Sequence, residues 1–456
     1  MASQRSTPKY SLSSLPGFTS LFIDGRLLEI MKYGLFVTFA LLVVIGFGGP
    51  QIGAQNPTLI LIWVGWWLAI MVFLAPVAAK FWCAVCPIPL VGQLFHRYAP
   101  LRWIRNHQIP RRLTLFGFLP LLLFLVLSSL SVPLSTVPWL TALGLSALVL
   151  GATVVDVLFE ERTFCKYICP INALLSVFGR GKLLRVETLE PSVCLTEHER
   201  TCLYGDERNG SWGCSWGLYP GNLTSHVSEC STCLECLRSC SQNNLTVALA
   251  RPNFLSTRKQ HIPLHQAFAP LFFLGIGMVY VLSKVAVAEP LHKLILVHDL
   301  SDLLTLLLVE FLAVAVVMPL FFMSLVGGPV VVATRRARSL AQQREIFGQL
   351  KRSTFTTIPL GLSIWFAFSL VLIMPQMNSV LNLLGFGEFP PLTFFLAYML
   401  ELVVALSLAM GFVGSSYLAL SYIQTNMSTF YSRFGQFIGL FTFLTICYVV
   451  TIMGLF

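Results

Sequence analysis

The sequence predicts an all-α polytopic membrane protein with a small polar domain inserted after its fourth span. Three observations predict this. Of 456 residues, 56% are hydrophobic and only 11% charged, against roughly 25% charged in soluble domains. The apolar residues gather in blocks of spanning length. The twelve cysteines are concentrated rather than scattered. A soluble enzyme and a disordered regulator are excluded by this composition. The net charge is +10, but the basic residues lie in short stretches between apolar blocks. The lipid bilayer is therefore the expected partner, and nucleic acid is not.

The apolar blocks run over 30–48, 58–79, 113–131, 139–158, 266–287, 303–326, 354–374, 392–421 and 436–455. Each reaches or approaches the ~20 residues a helix needs to cross the hydrocarbon layer. Helices are expected because each satisfies its own backbone in lipid. That makes about nine transmembrane helices. Gly411 and Gly414 suggest a bend or a frayed exit in the long eighth block. The connection over 80–112 carries Lys80, Arg97, Arg102, Arg105, Arg111 and Arg112 without an acid. The connection over 333–353 is also basic, whereas Glu289, Asp299 and Asp302 make 288–302 acidic. Positive residues stay on the cytoplasmic side, so the N-terminus reads as cytoplasmic and the C-terminus as external.

This orientation puts segment 160–262 in the cytoplasm. It holds nine of the twelve cysteines with 11 basic and 10 acidic residues. Its composition separates it from residues 1–159, a four-helix N-terminal transmembrane region carrying the first cysteine pair. It is equally distinct from residues 263–456, a C-terminal region of about five helices.

Within this segment, Cys230-x2-Cys233-x2-Cys236-x3-Cys240 has the spacing of the bacterial ferredoxin run for a [4Fe–4S] cluster. Closely spaced thiolates wrap the backbone around one cofactor and aim N–H groups at the sulfurs. The segment is therefore expected to be a small ferredoxin-like iron–sulfur domain. A zinc knuckle is the competing reading, but zinc usually takes two separated cysteine pairs. Two arrangements fit. In one, Cys230, Cys233, Cys236 and Cys240 hold a single cluster and Cys194, Cys202 and Cys214 are spare. In the other, Cys230, Cys233 and Cys236 take a distant fourth ligand and Cys240 joins Cys194, Cys202 and Cys214 at a second cluster. Seven cysteines do not complete two such sites. His198 or His226 could supply the eighth ligand, although solvated loop histidines are the plainer reading. One [4Fe–4S] cluster or two are thus expected.

A second constellation lies where spans end. Cys83-x2-Cys86-Pro87 follows the second span, and Cys165-x3-Cys169-Pro170 follows the fourth. Both spans exit on the same side, and each proline fixes the chain's exit. Cys83, Cys86, Cys165 and Cys169 are expected to form a four-sulfur metal or cluster site at the membrane face. Softness does not separate Cu(I), zinc and iron–sulfur. Unconnected thiols, or two redox-active pairs, are the alternative.

The stretches Phe81-Trp82-Cys83-Ala84-Val85-Cys86-Pro87 and Phe164-Cys165-Lys166-Tyr167-Ile168-Cys169-Pro170, with the ferredoxin run after them, resemble the membrane-bound [4Fe–4S] polyferredoxin family of the NosR, NapH and CcoG type. The resemblance covers roughly residues 60–250. The first pair is CxxCP where that family usually has CxxxCP. The resemblance implies a multi-pass protein of the bacterial cytoplasmic (inner) membrane. Such a protein passes electrons between the quinol pool or another donor and a partner redox protein.

The function expected is one-electron transfer at the membrane, by an electron carrier or redox subunit rather than a stand-alone enzyme. Two other classes compete. One is copper or iron handling or reduction for assembly of a respiratory metalloenzyme. The other is a redox-sensing transporter built from the last five spans. Asp156, Lys284, Glu310 and Glu401 fall in or near apolar blocks, where an ionisable group is a functional candidate by default. Asp156 and Lys284 lie near span ends and are expected to snorkel. Glu310 and Glu401 lie deeper, where they could carry protons for quinone chemistry or pair with hydroxyls. No span carries a central histidine, which argues against a bis-histidine haem.

Overall fold

The computed structural model describes residues 11–24, 27–51, 56–98, 117–159, 162–206, 211–221, 227–249, 252, 254–255, 262–282, 300–328, 339–371, 390–426 and 430–455. Among the described residues eight helices are long and apolar enough to cross a membrane: Leu27–Gly48, Pro57–Val77, Pro138–Leu158, Leu264–Leu282, Ser301–Gly327, Gln342–Val371, Tyr398–Gln424 and Gly435–Leu455. The remaining block forms a shorter apolar helix, Leu119–Ser131. Ser128, Ser129 and Ser131 dilute its apolar run, and Pro133 follows inside the same helix. The architecture is that of an all-α polytopic membrane protein. Ile30, Val37, Leu41, Val44 and Phe47 stand exposed along the first long helix. Such a surface is unfavourable in water and ordinary in lipid.

By contacts the chain forms two compact units. One comprises Met1–Gln51, Phe73–Pro120 and Pro138–Arg258, and the other Ile52–Val72, Leu121–Val137 and Lys259–Phe456. These units do not follow the three consecutive regions expected from composition. Composition marks where polarity changes along the chain, whereas packing joins helices distant in sequence.

In the first unit the cysteine-rich segment is built together with membrane helices. Leu27–Gly48 packs along Pro138–Leu158. Strands β1 (Leu184–Thr188) and β2 (Leu245–Leu249) pair antiparallel, with Val186 opposite Val247. Ser11 bridges to Ala248 at the ribbon's edge. Leu28, Val85, Val186, Leu234 and Val247 share one core with Cys202 and Cys236. The segment thus buries cysteines where a larger domain would bury aliphatic side chains. Asp156 is fully buried and does not snorkel. Its carboxylate accepts the Phe164 N–H at 2.9 Å, tying the end of its span to the turn that carries Cys165. Gly92 leaves room for it, since a Cβ there would lie 2.7 Å from the Asp156 Cβ.

In the second unit Leu264–Leu282 is buried along most of its length. Phe124, Phe273 and Trp365 meet edge to face, and the Trp365 indole N–H donates to the Phe273 carbonyl at 2.8 Å. The helix Pro390–Asn426 runs without a break through Gly411 and Gly414, so the chain does not leave the helix there. Gly411 serves close packing instead. A Cβ there would lie 2.0 Å from the Ser363 hydroxyl oxygen and 2.9 Å from the Pro359 carbonyl oxygen. One turn on, the Ser415 hydroxyl accepts the Leu360 N–H at 2.9 Å. Small residues that let helix backbones approach are the usual device in lipid. Glu310 is buried and accepts the hydroxyls of Ser128 and Ser129, both at 2.8 Å. Tyr280 donates to the Ser128 carbonyl at 2.6 Å. Glu401 is exposed on its helix, and Lys284 lies outside the described residues.

Candidate functional site

All eleven clustered cysteines belong to the first unit, and the fold sorts them into three groups. The first is Cys83, Cys86, Cys165 and Cys169. Cys83 sits in the short helix Phe81–Val85, and Cys86 ends it in extended backbone. Cys165 lies in the helix Thr163–Tyr167. Cys169 caps the N-terminus of Pro170–Phe178, with Pro170 in the first turn. The N–H groups of Ile171 and Asn172 face the Cys169 sulfur, the preferred setting for an anion. Arg162 ties the two pairs together, its guanidinium donating to the Cys83 carbonyl at 2.7 Å. Burial pushes the Cys83 thiol up to about 12, opposed by neighbouring Lys80. Cys86 is raised by burial and by Cys83, and Cys165 by burial and by Cys169.

The second group is Cys214, Cys230, Cys233 and Cys236, which line one cavity with Trp216 and Ser231. Thr232 and Leu234 adopt positive φ angles of 56° and 66°. That is an unfavourable conformation for both, and most of all for β-branched Thr232. A left-handed residue on each side of Cys233 coils the loop so that successive thiols face inward. The Thr232 N–H approaches the Cys230 sulfur at 3.4 Å, and the Leu218 N–H approaches the Cys214 sulfur at 3.4 Å. Backbone strain of this kind is retained where a site over-determines it. Burial raises Cys233 to about 11, with Cys214 adding to the effect. Cys236 is raised by burial and then by Cys230, Cys233 and Cys214.

The third group is Cys194, Cys202 and Cys240, which line a separate cavity with Glu197, Tyr219 and Asn244. The Asn244 backbone N–H approaches the Cys240 sulfur at 3.4 Å, and its side-chain amide approaches the Cys194 sulfur at 3.4 Å. Asn244 also holds Glu190, donating to its carbonyl and accepting its N–H. The Tyr219 hydroxyl donates to the Cys194 carbonyl. Burial, then Cys240 and Cys194, push Cys202 up to about 12.

This grouping matches neither arrangement read from the sequence, since Cys214 lines the cavity of the compact run rather than that of Cys194 and Cys202. Cys214 is the distant fourth thiol beside the compact run, and Cys240 leaves the run for the other site. His198 is exposed and does not line the third cavity. His226 lies outside the described residues.

Cations invisible to cysteine counting surround these thiols. Lys80, Arg162 and Lys182 are all buried. Lys80 pairs with Glu229 at 2.7 Å and lies 4.9 Å from the Trp216 ring centre, on which Arg162 also stacks at 5.6 Å. Lys182 donates to the Cys230 carbonyl at 2.7 Å, and burial lowers its pKa. Two donors at the second cavity, the Trp216 indole N–H and the Ser231 hydroxyl, are buried without an acceptor among the described residues. Short-range sequence patterns hold no signal for these residues beyond proximity to cysteines, as with Lys80 before Phe81-Trp82-Cys83 and Trp216 two after Cys214.

Among the described residues no three His, Cys, Asp or Glu side chains converge as a single-ion site; the thiols are set around cavities. No family model, curated protein or solved structure matches this chain.

Proposed function

We propose that this chain is a membrane-bound iron–sulfur electron-transfer protein. It would carry electrons between a membrane donor such as quinol and a partner redox protein at a bacterial cytoplasmic membrane, with the cysteine-rich segment on the cytoplasmic side. One observation carries the reading: the second cavity. Four cysteines and two orphaned buried donors line it, and the buried Lys182 donates to the Cys230 carbonyl beside it. A buried donor without an acceptor costs about 1–3 kcal/mol, and a buried cation more unless it is offset. A thiolate-held inorganic cluster meets both demands, because its sulfurs accept hydrogen bonds and its net charge is negative. Bare neutral thiols meet neither, being weak acceptors without charge.

Cys214, Cys230, Cys233 and Cys236 would hold a [4Fe–4S] cluster, which when bound gains and loses one electron at a time. Cys83, Cys86, Cys165 and Cys169 are a second four-thiol set, with Lys80 and Arg162 as counter-charges. Trp216 lies between the two sets, lining the second cavity and stacking with both cations of the first. Cys202 is close enough to raise the Cys236 thiol and Cys214 close enough to raise the Cys202 thiol, which links the third group to the second. The three groups would serve as steps of a relay from the membrane face.

The test is anaerobic purification with iron and acid-labile sulfide measured per chain. Broad visible absorbance bleached by dithionite is expected. A colourless, sulfide-free protein would overturn the reading.

A further inference from the structure

The third thiol group differs from the other two in being one cysteine short. Its cavity is lined by Cys194, Cys202 and Cys240, and the described residues bring no fourth cysteine or histidine to it. Of the oxygen side chains there, Asn244 is committed to Glu190 and to the Cys194 sulfur, and the Tyr219 hydroxyl to the Cys194 carbonyl. The remaining anionic donor is Glu197. It is half-buried and close enough to Cys194 and Tyr219 to raise both electrostatically. Its position is set by the helix Pro191–Thr196, which it caps at the C-terminus. Among the described residues only the Ser241 hydroxyl approaches its carboxylate, at 3.5 Å, so the carboxylate can turn toward the cavity at little cost.

We infer that this site takes a [4Fe–4S] cluster through the thiolates of Cys194, Cys202 and Cys240, with the Glu197 carboxylate on the fourth iron. The inference rests on the iron–sulfur reading above and adds to it an exchangeable metal position. A carboxylate is a harder, weaker ligand for that iron than a thiolate. One-electron oxidation should therefore release it: [4Fe–4S]2+ and ferricyanide give [3Fe–4S]+, Fe2+ and ferrocyanide, with Glu197 freed to solvent. The second group, with four thiolates, should resist the same treatment.

The experiment uses the full chain, purified anaerobically and titrated with ferricyanide in the presence of a ferrous chelator. The unmodified chain should release about one Fe2+ and develop the sharp, near-isotropic EPR signal of an oxidised three-iron cluster. Glu197→Ala should release it roughly tenfold faster, since a weaker ligand set holds the metal less tightly. Glu197→Cys, which completes a four-thiolate set, should suppress both release and signal. Cys240→Ser should remove the signal while leaving dithionite-bleachable absorbance from the second group. The inference fails if a chain containing iron and sulfide withstands oxidation without signal or release. It also fails if Glu197→Cys releases iron as the unmodified chain does. A chain lacking iron and sulfide altogether would instead bring down the broader reading.

Discussion

Lys182 offers a direct measure of how the protein tunes its proposed cluster. Its ammonium is buried and donates to the Cys230 carbonyl at 2.7 Å, with the Thr232 hydroxyl at 3.4 Å. Lys182→Gln removes the charge and retains a donor. With the ammonium ~6 Å from the cluster and an effective dielectric of ~20, the Coulomb energy per electron added is about 3 kcal/mol. For a one-electron couple that corresponds to roughly 120 mV. Reduction adds negative charge, and the lysine favours it, so the variant's potential should fall by about that amount. The assay is a redox titration followed by EPR of the reduced cluster, after absorbance has shown equal cluster content. Lys182→Arg should restore most of the shift. An unchanged potential in a fully loaded Lys182→Gln chain would refute the assignment of Lys182 as a counter-charge to this site.

Stability of the cluster-free chain should depend on pH in a defined direction. Cys83, Cys202 and Cys233 are raised from 9.0 to about 12, 12 and 11. The folded state then holds protons that the unfolded chain gives up, so stability is full below pH ~9 and falls as pH rises toward the folded values. The lowered Lys182 opposes this, but it is one group against several. Denaturant titration of metal-free chain at stepped pH checks the trend. A loaded chain, whose thiolates are already deprotonated, should lack it. In the second unit, Glu310→Ala leaves the Ser128 and Ser129 hydroxyls without their carboxylate partner and should cost roughly 1–3 kcal/mol. Glu310→Gln, which keeps an acceptor, should cost less. Thermal unfolding in detergent distinguishes them; equal losses would argue that packing rather than hydrogen bonding sets the cost.

The span pattern and the compact thiol run are legible in the sequence because each is a property of neighbouring residues. Hydrophobic length marks a helix that can cross lipid, whatever it packs against. Three cysteines at two-residue intervals must curl together, and positive φ angles at Thr232 and Leu234 are how this chain does so. The pairing of distant thiols is of another kind. That Cys214 joins the run depends on where the 211–221 loop lies, which spacing alone does not set. The buried Lys80, Arg162 and Lys182 read in sequence as ordinary basic residues. Only the fold draws them out of water and makes their charge consequential. Asp156 reads as a snorkelling residue until tertiary packing turns it onto the Phe164 N–H. Gly411 reads as a bend until Ser363 and Pro359 come against it. Local chemistry thus determined which segments enter the membrane and which thiols cluster, whereas burial and long-range proximity, which exist only after folding, decided how they are grouped and charged.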